Sequence, residues 1–168
     1  MKRKLLILLV VFAGSCSDGD LQIETIDFDS STIQYCGSSP TTTTRIFFKI
    51  DSDQALILNL ESGLLKNADS DGTITSTVPG QSTVTYRIFS ESVTKSYFCG
   101  DIPPSTPQVV QEIEASAGEV QITSMQSAAD TTAFDHTIAL SGISLVNDKG
   151  ERITDLRIQN FGIITTKK

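Results

Sequence analysis

His136 is the only histidine of the chain, and it follows Asp135 within a run of alternating apolar residues. A Ser-His-Asp site needs a serine held against the imidazole and a carboxylate that orients the ring. Serine is so abundant in this chain that a serine near His136 carries no information, and there is no Gly-x-Ser-x-Gly motif. We therefore expect His136 to lie at the surface or at the edge of the core, and we expect no nucleophilic site.

Two acidic residues of a predicted strand, Glu112 and Glu114, have a spacing that could suit glycosidic chemistry. Alternate residues of a strand share a face about 7 Å apart, within the ~5–9.5 Å that separates the two carboxylates of glycosidases. Exposed pairs with this spacing are also common on ordinary sheets. The sequence accordingly predicts no catalytic residue, and we expect a protein that is not an enzyme and that needs no cofactor.

An Asn-x-Asp-x-Asp-Gly stretch is the best ligand-like segment of the chain. Asn67, Asp69 and Asp71 place oxygen ligands at alternate positions, and Gly72 follows where a calcium loop turns sharply. Val78 stands where such a loop has its bidentate Glu, so a bound cation would lose two oxygens. We expect a hairpin turn here and no metal site, with these three residues as a weak candidate.

The strongest chemical signal lies at the N-terminus. Lys2, Arg3 and Lys4 precede an apolar run of nine residues, 5–13. This run is far shorter than the ~20 residues that a transmembrane helix needs, and it is typical of a secretory signal peptide. We assign residues 1–15 to this signal peptide.

The residues that end the run, Ala13-Gly14-Ser15-Cys16, resemble the lipobox of bacterial lipoproteins, which more often has Leu where Ala13 stands. The resemblance implies that Cys16 carries diacylglyceryl and palmitate groups and becomes the first residue of the mature chain. Several acyl chains on one residue make a stable membrane anchor. Ser17-Asp18-Gly19-Asp20 resembles the acidic signal of surface-exposed Bacteroidota lipoproteins. Residues 16–22 are therefore expected to be a lipidated tether on the outer membrane, facing the periplasm or the cell surface.

The other two cysteines, Cys36 and Cys99, form an even pair in an exported chain, which predicts a disulfide. A metal site is a poor alternative, because the chain has no Cys-x-x-Cys motif and a single histidine. Each cysteine ends a strand-like run beside a glycine. The two could therefore face each other across a sandwich or along a sheet edge.

Length and charge limit what the rest of the chain can be. The 168 residues suit one domain, which we assign to residues 23–168. The net charge is −7, and loss of the leader's three basic residues leaves 10 basic against 20 acidic residues, or −10. Such an acidic surface argues against nucleic acid as a partner, because phosphate binding needs a basic surface.

Period-two alternation and frequent turn residues predict an all-β domain. The predicted strands cover residues 21–28, 32–36, 43–50, 54–60, 73–78, 82–89, 93–99, 108–117, 118–125, 133–146 and 152–165. Residues 108–117 could instead form a short helix, although we favour a strand. The strand lengths and turn spacing favour an antiparallel β-sandwich, Ig-like or related, with a β-barrel as the alternative.

The segments Arg45-Ile46-Phe47-Phe48-Lys49-Ile50 and Tyr97-Phe98-Cys99 resemble those of small Bacteroidota envelope lipoproteins, a resemblance that implies no particular activity. We expect a membrane-anchored binding or structural module, with a glycan or an envelope protein as partner. Tyr35, Tyr86 and Tyr97 could stack on sugar rings, although such tyrosines more often pack in the core. The alternative is an exported enzyme or enzyme inhibitor whose site the sequence does not reveal.

Overall fold

The computed structural model of the chain describes residues 25–102, 104–147, 149–153 and 155–168. The predicted leader (1–15) and tether (16–22) lie outside these described residues. The elements, in chain order, are β1 (Thr25–Asp27), β2 (Ile46–Asp51), β3 (Gln54–Asn59), β4 (Ile74–Val78), β5 (Thr83–Phe89), α1 (Lys95–Cys99), β6 (Val109–Glu114), β7 (Ala117–Gln126), β8 (Ala133–Val146), β9 (Arg152–Ile153), β10 (Asp155–Arg157) and β11 (Asn160–Lys167).

Two antiparallel sheets contain most of these strands. The first sheet has the order β2-β3-β5-β6, and the second has the order β11-β8-β7-β4, with β9 paired to the end of β8. A separate ribbon is formed by β1 and β10, which run parallel to each other. Within the described residues neither large sheet closes on itself. The prediction of an all-β sandwich is therefore confirmed, and the barrel alternative is wrong.

The main core lies between the two large sheets. Alternate side chains of a strand point to the same face, so each sheet contributes its inward-facing residues. The side chains that fill the core from both sheets include Phe47, Leu56, Leu58, Val84, Tyr86, Val120, Ile122, Ile138, Leu140 and Phe161. Burial of each large apolar side chain contributes roughly 1.5–3 kcal/mol, which makes this core the main force between the sheets.

A second, smaller core covers the outer face of the first sheet. Helix α1 brings Tyr97 and Phe98 against Phe89 and Val93. Phe98 also stacks on Phe48, with 4.4 Å between the ring centroids. In a strand, successive side chains would point to opposite faces, whereas here Tyr97 and Phe98 reach the same cluster. The strand predicted at residues 93–99 is therefore wrong, because a helical turn packs both half-buried rings against the same cluster.

The predicted disulfide is present, and it links helix α1 to the segment between β1 and β2. Cys36 and Cys99 are bonded, with their Cα atoms 5.3 Å apart. Cys99 is the last residue of α1, and Cys36 follows the isolated bridge between Gln34 and Phe48. The pairing is confirmed, but neither cysteine ends a strand, and the strand predicted at residues 32–36 is reduced to that single bridge.

The strand β8 contains a bulge that changes which of its residues face the core. Its pairing with β7 shifts register at Gly118, and Gly142 has a positive φ of 62°. Ser141 and Gly142 are both exposed, so the alternation restarts and Ile143 points inward. A Cβ at position 118 would lie 2.6 Å from Cδ1 of Ile143, so only glycine allows this close approach.

One lysine is buried where the edges of the two sheets meet. Lys49 lies on β2, and its side chain is 2% exposed. Its Nζ donates hydrogen bonds of 2.7 Å to the backbone oxygens of Phe28 and Asn160. Burial lowers the pKa of Lys49, while the carboxylates of Asp27 and Asp29 oppose this effect. The ammonium group thus joins β2, the end of β1 and the start of β11.

We expect reduction of the disulfide to lower the thermal midpoint by several degrees. The bond closes a loop of 63 residues, for which the chain-entropy model gives roughly 4 kcal/mol. The measurement is a melting curve with and without reductant. A Cys36→Ser/Cys99→Ser variant should have the thermal midpoint of the reduced parent protein, and reductant should not change this midpoint. An unchanged midpoint of the parent protein after reduction would contradict this prediction.

Replacement Lys49→Met should lower the free energy of unfolding by about 1–3 kcal/mol, because two buried carbonyl groups lose a charged donor. Urea unfolding at neutral pH measures the change. The matched control is Lys66→Met at an exposed lysine, where we expect less than about 0.5 kcal/mol. A Lys49→Met variant as stable as the parent protein would show that the ammonium bonds only balance its desolvation.

Candidate functional site

A chain of buried hydrogen bonds passes through His136 on the inner face of the second sheet. Ser124 Oγ lies 2.7 Å from Nδ1 of the imidazole, and Thr166 Oγ1 lies 2.8 Å from Nε2. The Thr166 hydroxyl donates in turn to Oδ1 of Asn67 at 2.7 Å. The imidazole and its two hydroxyl partners therefore lie on three neighbouring strands, β7, β8 and β11. Asn67, in the loop after β3, is the last residue of this series of hydrogen bonds.

The order of these bonds determines the tautomer of His136. Because the Thr166 hydroxyl donates to Asn67, it accepts from Nε2, which carries the proton. Nδ1 is then the acceptor for the Ser124 hydroxyl. Burial lowers the pKa of His136, and the nearby Asp135 carboxylate opposes the shift. The neutral imidazole is therefore the form that this network stabilises.

The serine and histidine have a spacing that resembles a nucleophilic pair, but they lie inside the protein. Ser124 is 1% exposed and His136 is fully buried, so a substrate carbonyl has no access to the Ser124 hydroxyl. Their arrangement can stabilise the fold and resist protonation, and it offers no nucleophile to solvent. His136 was expected at the surface or the edge of the core. Its alternation with Phe134 and Ile138 was the signal that places it on the inner face.

The segment with alternating oxygen ligands has a structural role. Asn67 binds Thr166, and Oδ1 of Asp69 accepts the backbone N–H of Gln126 at 2.6 Å. Asp71 is exposed. The loop connects β3 of the first sheet to β4 of the second, so the predicted hairpin turn is wrong. Among the described residues, no group of three or more His, Cys, Asp or Glu side chains is arranged to hold a metal ion.

The acidic pair on β6 forms a cross-strand contact. Glu112 lies opposite Arg87 on β5, and the two side chains form an ion pair. Glu114 lies opposite Thr85 and is exposed. The ion pair gives Glu112 a structural role, because it joins β5 to β6.

The three tyrosines pack against the two cores. Tyr86 is fully buried, and its hydroxyl donates to Oε1 of Gln54 at 2.9 Å. Tyr35 packs edge to face on Phe47, and Tyr97 packs similarly on Phe89. Their rings therefore serve the packing of the domain, and they do not form a joint exposed platform for sugar rings.

A partly open cavity of about 280 Å³ lies at the bulge of β8, where β9 and β10 cover one end of the main core. Its walls are mostly aliphatic, and two longer polar side chains complete them. The lining residues are Leu140, Gly142, Ile143, Arg152, Ile153, Leu156, Ile158 and Gln159. Sequence reasoning missed this site, because it assigned residues 152–165 to a single strand and could not locate the bulge.

Acid should destabilise the protein through His136. Its pKa is lowered on folding from 6.5, so the unfolded chain binds more protons between the folded pKa and 6.5. The stabilisation that folding gains from keeping His136 neutral is complete above about pH 6.5, and it is lost as the pH falls below that value. Urea unfolding between pH 4.5 and 8 measures the slope.

A His136→Gln variant should lose this slope while being less stable at pH 8. The Thr166→Val variant should also be less stable but should retain the slope, since it keeps the imidazole. Asp130 does not mimic this effect, because hydrogen bonds from Thr132 lower its pKa from 3.8 to about 2, and its contribution is lost only as the pH falls below about 4. Equal slopes in the parent protein and in His136→Gln would contradict the assignment.

None of the described residues belongs to a helix long and apolar enough to span a bilayer. Comparison of the chain with protein-family models, with curated proteins and with solved structures finds no match. The function of this protein is therefore inferred from its own residues and their geometry.

Proposed function

We propose that this protein is an exported, lipid-anchored module of the bacterial cell envelope that binds a ligand without catalysing a reaction. The signal-peptide-like leader and the lipobox-like residues support a lipid anchor on Cys16, with the outer membrane as its location. The domain then faces the periplasm or the cell surface. This proposal combines an anchor, a rigid β-sandwich and one binding site.

The disulfide supports the exported location. Cys36 and Cys99 are bonded, and structural disulfides persist in oxidising compartments such as the periplasm and the cell surface. Cytosolic thiols are kept reduced, so a 63-residue loop closed by a disulfide suits an exported chain. The acidic residues of the chain also favour this role over binding to nucleic acid.

The cavity at the bulge of β8 is the observation that carries the binding role. It is a concave site whose lining combines five aliphatic side chains with Arg152 and Gln159, so it offers a ligand both apolar and polar surface. The Ser124–His136 pair, by contrast, is closed to solvent, so it supports no catalytic role. Binding at the cavity is thus the function that the geometry favours.

Replacement Cys16→Ser should abolish incorporation of labelled palmitate and release the protein from the membrane fraction, because the acyl chains supply the anchor. The measurement is metabolic labelling followed by fractionation. The neighbouring Ser17→Ala replacement is the matched control and should keep both the label and the membrane location. A parent protein that stays in the membrane fraction without label on Cys16 would contradict the lipid anchor.

A further inference from the structure

The cavity at the bulge of β8 combines an apolar wall with a single cationic side chain. Ile143, Ile153 and Ile158 belong to the main core, yet they also line the cavity. Arg152 contributes to the lining from β9. Among the side chains that the structure describes, no carboxylate lies within ion-pair distance of Arg152. The guanidinium group is therefore available to a ligand.

Arg152 has no acidic partner among the side chains that the structure describes. The chain has 20 acidic against 13 basic residues, and Arg157, five positions away, is paired with Asp27. A guanidinium group recognises carboxylate through two parallel hydrogen bonds. The polar end of the ligand should therefore be an anion, and a carboxylate matches the donor geometry of Arg152.

The lining residues and the volume of the cavity indicate the chemistry and size of the apolar end of the ligand. Aliphatic side chains favour a saturated chain, because burial of methylene groups stabilises a complex in proportion to the apolar surface removed from water. A volume of about 280 Å³ lies at the lower limit of small-molecule sites, which hold roughly 300–1,000 Å³. That space suits one acyl chain of moderate length and is too small for the paired chains of a phospholipid.

The position of the cavity also favours a lipid. Thr25, the first residue of β1, lies opposite Asp155 of β10, and Ile26 lies opposite Leu156, which lines the cavity. Cys16 is nine residues before Thr25, so its lipid lies at most about 32 Å from the start of β1. If Cys16 is acylated, as proposed above, this reach limits how far the ribbon of β1 and β10, which contributes Leu156 to the cavity, can lie from the membrane surface. The acyl chains on Cys16 end in uncharged esters and an amide, so they leave Arg152 without an anion.

We propose that this cavity binds the single chain of a fatty acid, with the carboxylate on Arg152 and the chain against Ile143, Ile153 and Ile158. The inference deepens the proposed binding role and names its ligand class. The bulge at Gly142 creates the space, and β9 supplies the charge. Gln159, the other polar side chain of the lining, offers further hydrogen-bond donors and acceptors.

The test uses sodium octanoate as the probe and the full mature chain in phosphatidylcholine nanodiscs. NMR spectra of labelled isoleucine methyl groups should show saturable shifts at Ile143, Ile153 and Ile158. The methyl group of Ile163, which is 60% exposed and lies outside the cavity lining, is the internal control and should not move. Octanol should bind at least about tenfold more weakly, because it lacks the charge that Arg152 recognises.

Variants test the charge of Arg152 and the volume of the cavity separately. Arg152→Gln should weaken octanoate binding about tenfold or more and leave octanol binding unchanged. Arg157→Gln is the matched control and should bind octanoate as the parent protein does. Leu156→Phe fills the cavity and should abolish the shifts. An unchanged Ile163 methyl signal shows that each variant keeps its fold.

Three results would overturn the proposal. One is the absence of shifts at the three cavity isoleucines at millimolar octanoate. Another is equal octanoate affinity of the parent protein and Arg152→Gln. The third is preferential binding of dioctanoyl phosphatidylglycerol. If Cys16 proves not to be acylated, the same titration of the chain in buffer tests the cavity alone, so failure of the anchor and failure of the ligand are distinguished.

Discussion

The ammonium group of Lys49 is the contact on which one side of the sandwich depends. It lies between β2 and β11, which are the edge strands of the two sheets, and it also reaches the residue after β1. Apolar contact alone would leave the carbonyl groups of Phe28 and Asn160 without this donor. Burial of the Lys49 ammonium group costs desolvation energy. The two short hydrogen bonds to these carbonyl groups offset that cost, and so does the attraction of the nearby Asp29 and Asp27 carboxylates. The N-terminal ribbon is thereby fixed to both sheets.

Polar groups inside the second sheet follow the same rule. Ser124, His136 and Thr166 replace apolar side chains at inward positions, and each has its hydrogen-bond partners. Within the described residues, no buried side-chain nitrogen or oxygen atom lacks a partner. A satisfied network of this kind specifies one arrangement of β7, β8 and β11, because any other register would leave buried donors unpaired. Specificity of register, and not catalysis, is what these residues contribute.

The bulge of β8 links this scaffold to the proposed function. Regular alternation would have pointed Gly142 inward and Ile143 outward, and the inner face would have continued without a break. The shift at Gly118 turns Ile143 into the core and leaves space that β9 and β10 only partly cover. Arg152 lies at this space because β9 pairs with the end of β8. A local irregularity of the backbone thus accompanies the cavity at this end of the sandwich.

The sequence by itself determined the class of fold, most strand positions and the pairing of Cys36 with Cys99, because alternation, turn residues and cysteine parity are local or countable properties. Alternation does not show that both faces of β2 are covered: Phe47 faces the main core, and Phe48 stacks on Phe98. Only the tertiary structure decided that helix α1 forms that cover, that His136 is buried and that Arg152 lines a cavity. Each of these depends on which distant segments meet, and strand periodicity contains no information about that.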